Sequence, residues 1–345
     1  IHSNASWRRM NLYFCLMKIA VAILNWNGKS WLEKFLANVV ENSPEATVYV
    51  IDNASTDDSV PFLQENFSQV PIIQLDKNYG FAEGYNQGLV QIQADYYVLL
   101  NSDVQVTLNW ITPIVEKMEE NQKLAVCMPK LKSYNNPEYF EYAGAAGGFI
   151  DKYGYPFCHG RLFDSIEKDE GQYEKDCEIF WASGAALFVK ANIYKELGGL
   201  DKDFFAHMEE IDFCWRVKNA GYSIQYIHKS EVFHVGGGSL PKNNPYKTFL
   251  NFRNNLFMLH KNLPDNCFKQ IIFKRRLLDA LSWLNFMAHF DFKNAKEIIH
   301  AHKEYRKSIS DLNAKRSLIS NKKIHAEMYE KSIVWAYFVQ RKRTI

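Results

Sequence analysis

Short apolar runs alternate with amphipathic stretches along the first 130 residues, and each run ends in a polar loop. Such runs are typical of buried strands, whereas stretches with apolar positions every three or four residues are typical of helices. Strands and helices that alternate across short loops predict an α/β fold on a mostly parallel sheet. The predicted strands are 18–24, 47–51, 71–75, 96–100 and 124–128, and the predicted helices are 31–40, 60–67, 82–91 and 109–120.

Polar side chains follow four of these strands directly. Because the carboxyl ends of parallel strands lie on one edge of a sheet, where ligands bind, we expect these side chains to converge. Asp103, just past the central strand 96–100, can hold a divalent cation, and such a cation can hold a diphosphate. The polar residues at this edge are Asn25, Trp26, Asp52, Asn53, Asn78, Asn101 and Asp103.

The alternation breaks after Pro129. Residues 130–175 are rich in Tyr, Gly, Asn and Asp, which predicts a long excursion that acts as a lid or substrate loop. Order returns with a strand at 179–189, a short helix at 191–197, a helix from about 209 to 220 and a strand at 223–227.

Three acids, Glu209, Glu210 and Asp212, stand at the start of the predicted helix 209–220, and His234 follows the last strand. Acids at a helix start often serve only as partners of the helix dipole, and a single His after a strand is often structural. The alternative is that Asp103 and His234 hold one cation while a glutamate acts as a general base across the cleft.

Helical periodicity dominates from about residue 247, and the last thirty residues predict a further helix with a frayed tail. This region is either a helical appendage packed on the core or a surface that rests on an anionic membrane. Its cations alternate with Trp283, Phe286 and Phe290. The cations are Arg253, Lys261, Lys269, Lys274, Arg275, Arg276, Lys293 and Lys296.

Composition narrows the class of protein. A hydrophobic content of 47% and a formal net charge of +2 exclude a disordered chain and a strongly basic nucleic-acid binder. The six cysteines include no Cys-x-x-Cys pair, which favours a reduced cytosolic protein over a disulfide framework or a zinc site. No apolar window reaches the roughly 18 residues of a membrane span. Residues 1–16 predict a weakly structured extension, with translation starting at Met10 or Met17.

Common nucleotide motifs are missing from the sequence. No Gly-x-Gly-x-x-Gly follows the first strand, and no Gly-x-x-x-x-Gly-Lys-Ser/Thr occurs, which excludes a P-loop enzyme and disfavours a dehydrogenase.

Six short motifs occur in register: DNASTD at 52–57, NYGFA at 78–82, LNSD at 100–103, SGAA at 183–186, MEEID at 208–212 and HVGG at 234–237. In this order they resemble the motif series of glycosyltransferase family 2, in its bacterial rhamnosyltransferase-like branch. The resemblance spans about residues 18–260. It implies a GT-A fold, a dTDP- or UDP-linked sugar donor, a Mg²⁺ or Mn²⁺ ion, and inversion at the anomeric carbon.

The resemblance also implies roles by position. Asp103 takes the metal-binding place in a variant of the usual Asp-x-Asp, which makes His234 more important as the second metal ligand. Glu210 takes the catalytic-base place. The residues implied to bind the base, ribose and diphosphate of the donor are Asn25, Trp26, Asp52, Asn53, Asn78, Gly80, Asn101 and Asp103. Those implied to border the sugar and acceptor are Trp181, Ser183, Gly184, Ala185, Glu209 and Asp212.

We therefore predict a metal-dependent, inverting glycosyltransferase that moves a sugar, rhamnose at the family level, to a glycan or lipid-linked acceptor of a surface polysaccharide. The predicted location is the cytoplasm or the inner face of the cytoplasmic membrane. The predicted division is an extension at 1–16, a GT-A domain at 17–262 and a helical, basic C-terminal region at 263–345.

Two rival functions remain at this stage. A sugar-phosphate nucleotidyltransferase also has a parallel nucleotide-binding sheet, but it needs a Gly- and Lys/Arg-rich loop after the first strand, where this chain has Asn25-Trp26-Asn27-Gly28. A nucleotide-sugar-binding protein without catalysis is disfavoured because Asp103, Glu210 and His234 are all retained.

Overall fold

The computed structural model describes residues 17–236 and 244–345. The predicted N-terminal extension lies outside the described residues, as do Cys15 and Gly237 of the last motif. The strands are β1 (Ile19–Asn25), β2 (Thr47–Asp52), β3 (Ile72–Gln74), β4 (Tyr96–Asn101), β5 (Val104–Val106), β6 (Leu124–Ser133), β7 (Gly148–Asp151), β8 (Pro156–Cys158), β9 (Arg161–Leu162), β10 (Ser165–Ile166), β11 (Cys177–Glu178), β12 (Ala186–Lys190), β13 (Ser223–His234) and β14 (Met328–Tyr329).

Helices flank the strands and then make up most of residues 245–318. They are α1 (Lys29–Glu41), α2 (Ser59–Asn66), α3 (Gly80–Leu89), α4 (Thr112–Glu120), α5 (Ala191–Glu196), α6 (Glu209–Asn219), α7 (Pro245–Asn262), α8 (Asp265–Ala288), α9 (Phe292–Lys307) and α10 (Ile309–Leu318).

The main sheet runs in the order β11-β13-β6-β12-β4-β1-β2-β3, with β5 paired to β13. β1 is parallel to both β2 and β4, as the alternating sequence pattern predicts. β12 lies antiparallel between β4 and β6, and β13 then runs parallel to β6. The sheet is therefore mostly parallel, and one reversed strand joins its two halves.

Apolar spacing along the helices explains how they cover this sheet. In α1 the buried residues are Leu32, Phe35, Leu36 and Val39, which recur every three or four positions and so form one stripe. Burial of each such side chain contributes about 1.5–3 kcal/mol.

The excursion after Pro129 contains short strands instead of a continuous loop, and its role as a lid or substrate segment stays a prediction. Strands β7 to β10 form a second sheet, and β14, from the end of the chain, pairs parallel to β7. The rings of Phe149, Phe157 and Tyr329 pack together beside it.

The prediction of a further helix in the last thirty residues is wrong. Residues after 318 form the strand β14 and only a short π-helical turn at Trp335–Val339.

The C-terminal helices pack on one another and on α6. No helix in the described ranges 17–236 and 244–345 is long and apolar enough to cross a membrane. The five cysteines of the described part of the chain are free.

A buried network of ion pairs and hydrogen bonds, called the ion network below, connects α7 to α6. The carboxylate of Asp212, 0% exposed, accepts hydrogen bonds from Lys261 at 2.8 Å, Asn262 at 2.8 Å and Arg216 at 3.0 Å. Lys261 also contacts Asp201 at 2.6 Å. Although burial opposes ionisation of Asp201, the ammonium groups of Lys261 and Lys315 hold its pKa well below the usual range. The charges of this network compensate one another inside the protein.

Asp212→Ala should lower the free energy of unfolding by about 3 kcal/mol or more, because it leaves buried cations with too few partners. Urea unfolding followed by circular dichroism measures this loss. The control is Glu304→Gln, which removes an exposed contact with Lys307 and should barely move the unfolding midpoint. Equal effects of the two substitutions would contradict the assignment.

Candidate active site

Three predicted site residues end neighbouring strands of the main sheet. Asn25 is in register with Asp52 across β1 and β2, and Leu24 is in register with Asn101 across β1 and β4. The parallel arrangement thus brings Asn25, Asp52 and Asn101 to one edge.

At the ends of β1 and β2, hydrogen bonds between side chains hold a polar turn in place. Asn25 donates to Asp52 Oδ1 and to Ser55 Oγ, both at 3.1 Å, and Asp52 Oδ2 accepts from the Ser55 backbone N–H at 3.0 Å. Asn25 and Asp52 are buried, whereas Trp26 is 56% exposed and presents its ring at the edge. Asn25 Oδ1 is buried without a hydrogen-bond partner among the described residues. That oxygen lies against Gly28, where a Cβ would be 2.5 Å from it.

Asn53, which follows β2, positions the start of α3 through hydrogen bonds. Asn53 donates to Asn78 Oδ1 and to the Gly80 carbonyl, both at 3.0 Å, and accepts from the Tyr79 N–H at 2.9 Å. Gly80 has φ +76°, and a Cβ there would lie 2.6 Å from the Phe205 ring, so only glycine fits. Asn53 is 2% exposed, and its contacts make it part of the scaffold beneath the edge.

Asp103 and His234 meet at the centre of the edge. β5 pairs with the end of β13, so that Val104 lies opposite His234, and the Val235 N–H donates to the Asp103 carbonyl at 3.1 Å. His234 Nε2 lies 3.1 Å from Asp103 Oδ1 and 3.4 Å from Asn101 Nδ2. Both Asp103 and His234 are buried.

Glu141 stands behind this pair, a residue that the sequence pattern did not single out. Its Oε1 lies 3.5 Å from His234 Nδ1, the ring nitrogen that faces away from Asp103. Burial opposes the charged imidazolium, but the carboxylates of Glu141 and Asp103 together raise the pKa of His234 to about 10. No signal in the Tyr- and Gly-rich excursion distinguishes Glu141 from its neighbours, because only the folded sheet brings it under His234.

The Asp103–His234 pair fits one divalent cation. Two ligands of an octahedral ion at about 2.1 Å lie about 3 Å apart, which is the separation of Oδ1 and Nε2. A carboxylate near the second nitrogen of a metal-binding His orients the ring and raises its basicity, and Glu141 has that place. The described residues contain no group of three or more such ligands. A cation at this edge would therefore take its remaining ligands from a bound phosphate or from water.

Glu209 and Glu210 occupy the first turn of α6 in different surroundings. Burial, helped by the neighbouring Glu210 and Asp212 charges, raises the pKa of Glu209 well above its ordinary value. Burial likewise raises the pKa of Glu210, to about 7, against backbone N–H groups of the helix start that lower it. Glu210 Oε2 has no hydrogen-bond partner among the described residues. A carboxyl that titrates near neutral pH suits a general base.

Residues 20–192, half of the chain, match the family model described as glycosyl transferase family 2. The chain belongs to this family. The match decides between the rival enzymes in favour of a glycosyltransferase over a nucleotidyltransferase.

Two curated relatives of this glycosyltransferase carry rhamnosyltransferase names. The N-acetylglucosaminyl-diphospho-decaprenol L-rhamnosyltransferase of Mycobacterium tuberculosis is 22% identical over 235 residues, covering 63% of this chain and 75% of the relative. The rhamnosyltransferase WbbL of Escherichia coli K12 is 20% identical over 229 residues, covering 63% and 83%. These likenesses agree with the rhamnosyltransferase-like branch.

The fold of this glycosyltransferase is similar to that of GalNAc-T7, crystallised with UDP, GalNAc and Mn²⁺. The TM-score is 0.58 at 15% identity over 74% of this chain, which spans about half, 49%, of the GalNAc-T7 chain. The predicted GT-A fold is thereby confirmed.

Most residues predicted to face the sugar and acceptor are buried in this glycosyltransferase. Trp181 packs on the Gly148 backbone and donates to the Phe149 carbonyl, while Ser183 and Ala185 are 3% and 4% exposed. Asp212 belongs to the ion network and Glu209 is 4% exposed. These five side chains are buried or engaged in contacts within the protein, and their role at the acceptor site stays a prediction.

Gly184 is the member of that set that reaches the cleft. It is partly exposed, and a Cβ there would lie 3.4 Å from the Phe81 ring and 3.8 Å from Glu210 Cβ. The close approach places the Glu210 side chain directly beside the glycine.

Proposed function

We propose that this glycosyltransferase moves a sugar from a nucleoside-diphosphate donor to a glycan or lipid-linked acceptor, with metal dependence and inversion of the anomeric centre. The observation that carries the proposal is the Asp103–His234 pair, 3.1 Å apart at the carboxyl edge of a parallel sheet. The Mn²⁺ and UDP of the GalNAc-T7 crystals support a nucleoside diphosphate and a divalent ion for a fold of this kind.

The leaving nucleoside diphosphate needs its developing charge neutralised. A Mg²⁺ or Mn²⁺ ion held by Asp103 and His234 would supply that charge when bound. Asn101 joins His234 at the same point, and Glu141 holds the imidazole from behind. Asn25 and Trp26 flank the edge on the side assigned to the base and ribose, with Asp52 fixing Asn25.

Glu210 is the proposed general base. Its partly exposed carboxylate would accept the acceptor hydroxyl proton as that oxygen attacks the anomeric carbon. Attack from the face opposite the leaving diphosphate inverts the centre in one step. Burial and the neighbouring Glu210 and Asp212 charges raise the pKa of Glu209 well above its ordinary value and so favour its protonated form.

The names of the relatives support an acceptor and a sugar. The relative from Mycobacterium tuberculosis is named for an N-acetylglucosaminyl-diphospho-decaprenol acceptor and for rhamnose. We propose, by analogy, a lipid-linked acceptor and rhamnose as the first sugar to test. A panel of dTDP-, UDP- and GDP-sugars, scored by thermal stabilisation of the full chain, identifies the donor.

Asp103→Ala and His234→Ala should each weaken Mn²⁺-dependent UDP binding by at least about tenfold, because each removes one of two protein ligands. Calorimetry with UDP, with and without Mn²⁺, measures the effect. Glu304→Gln, on the surface of α9, is the control. Unchanged Mn²⁺-dependent binding in both variants would refute the proposed metal site.

Turnover should rise with pH through about 7 and then level off, because the base is active only when deprotonated and the pKa of Glu210 is about 7. Glu210→Gln keeps the shape, so donor affinity should persist while kcat falls by about 100-fold or more. The assay is nucleoside diphosphate released from the donor chosen by the panel. Near-normal turnover in Glu210→Gln, with loss of turnover in Glu209→Gln, would move the base to Glu209.

We also propose that α8 attaches the enzyme to an anionic membrane, because its apolar face is exposed and its opposite face is buried. Phe273, Leu277, Leu281 and Leu284 form one apolar stripe, each more than 50% exposed. The opposite face buries the ion pair of Arg275 with Asp279 at 2.7 Å. Exposed aromatic residues continue the apolar surface at the turn into α9, namely Phe290 and Phe292.

Exposed cations outnumber acids beside this stripe. Asp279, the sole acid in residues 266–290, is buried and paired. Of the flanking acids, Asp265 contacts Arg316 and Asp291 caps α9. The exposed cations are Lys269, Lys274, Arg276, Lys293 and Lys296. Each can contribute about 1 kcal/mol at an anionic surface. Arg275 and Lys261, which the sequence placed in this basic surface, are buried in ion pairs instead.

The full chain should float with phosphatidylglycerol vesicles and not with phosphatidylcholine vesicles, and added salt should weaken the binding. Leu277→Asp combined with Leu281→Asp should abolish flotation. Leu108→Asp, at a leucine 83% exposed elsewhere on the surface, is the matched control and should float like the wild type. Equal binding to both lipids, or to neither, would reject membrane attachment through α8.

A further inference from the structure

The loop that delivers Glu210 to the cleft has a strained backbone. Phe205, His207 and Met208 have φ values of +64°, +67° and +73°, a region that side chains other than glycine rarely adopt. The Ala206 N–H donates to the Phe204 carbonyl at 2.7 Å, which closes a γ-turn around Phe205. α6 begins directly afterwards, at Glu209. Strain of this kind persists only where the surroundings hold it.

Asn254, on α7, stabilises this loop through hydrogen bonds. It is 0% exposed, and its Nδ2 lies within hydrogen-bond distance of three loop carbonyls: Phe204 at 3.0 Å, Ala206 at 2.8 Å and His207 at 2.7 Å. The Arg253 guanidinium donates to Asn254 Oδ1 at 2.9 Å, which keeps the amide N–H groups turned towards the loop. Arg253 also donates to the Asp203 and Phe204 carbonyls.

Helix α3, on the side of the site assigned to the sugar donor, binds the same loop from the opposite side. The Phe205 carbonyl accepts from the N–H groups of Phe81 and Ala82, at 2.8 and 3.3 Å, in the first turn of α3. Asn53 and Asn78 place that turn. The loop is thus held between α3, which belongs to the donor edge, and α7, which lies beyond the segment that matches the family.

We infer that Asn254 is a positioning residue for catalysis: its amide holds the strained 204–208 loop so that Glu210 points at the acceptor hydroxyl. The inference rests on the proposed role of Glu210 as the base. It extends the active site to α7, which otherwise serves as packing. Misplacement of a reacting group by about 1 Å can lower a rate by about 100-fold. Loss of the amide should therefore affect the chemical step more than donor binding.

Asn255 offers a matched control on the same helix. It is a buried amide, 1% exposed, but its Nδ2 donates to the Gly154 carbonyl and its Oδ1 accepts from Arg275. Asn254→Ala and Asn255→Ala each remove one buried amide from α7. Only Asn254→Ala removes hydrogen bonds to the loop.

Hydrogen–deuterium exchange of the ligand-free full chain tests the hold itself. Asn254→Ala should speed exchange about tenfold or more in peptides covering 203–212, whereas Asn255→Ala should speed it around 148–158 instead. In turnover, kcat of Asn254→Ala should fall by about 10- to 100-fold while the donor KM stays within about twofold. Asn255→Ala should keep kcat near the wild-type value.

Arg253→Lys is the second variant, for the case in which Asn254→Ala does not fold. It keeps the amide but removes the guanidinium contacts, and it should give the same two effects at smaller size. Unchanged exchange and kcat in Asn254→Ala, or equal losses of kcat in Asn254→Ala and Asn255→Ala, would overturn the inference. If Glu210→Gln stays active, the assignment of the base fails, while the exchange result still decides whether Asn254 holds the loop.

Discussion

The contact between Asp103 and His234 joins the two halves of this molecule at the point where chemistry is expected. Asp103 follows β4, which belongs to the parallel half of the sheet, and His234 ends β13, beyond the reversed strand β12. Two ionisable side chains can be buried here because each compensates the charge of the other, and Glu141 adds a second carboxylate. Removing one partner would leave a buried charge unpaired. The site therefore depends on the packing of both halves.

Three acids within four residues of α6 have different chemistry because their surroundings differ. Asp212 faces buried cations and serves packing. Glu209 is enclosed without a cation and favours the protonated form, and Glu210 lies beside Gly184 with a pKa near 7. Successive helical positions point about 100° apart, so one short acidic run reaches three environments.

The C-terminal helices are more than an appendage. α7 contacts the loop of the proposed base through Asn254 and anchors Asp212 through Lys261. α8 does the reverse of an ordinary surface helix, because it buries an ion pair and exposes an apolar stripe. The boundary at 262/263 remains a prediction, since α7 and the strand β14 tie the end of the chain to both sheets.

The amino-acid sequence alone predicts the parallel half of the sheet, the edge at which Asn25, Asp52 and Asp103 collect, and the family. Local apolar runs and the polar residues that end them carry that information, because parallel strands must share an edge. The tertiary structure set the different surroundings of Glu209 and Glu210 and buried Trp181, Ser183 and Ala185. It also brought Glu141 and Asn254 to the site from the excursion and from α7. These depend on contacts between residues far apart in the chain, and local periodicity carries no record of such contacts.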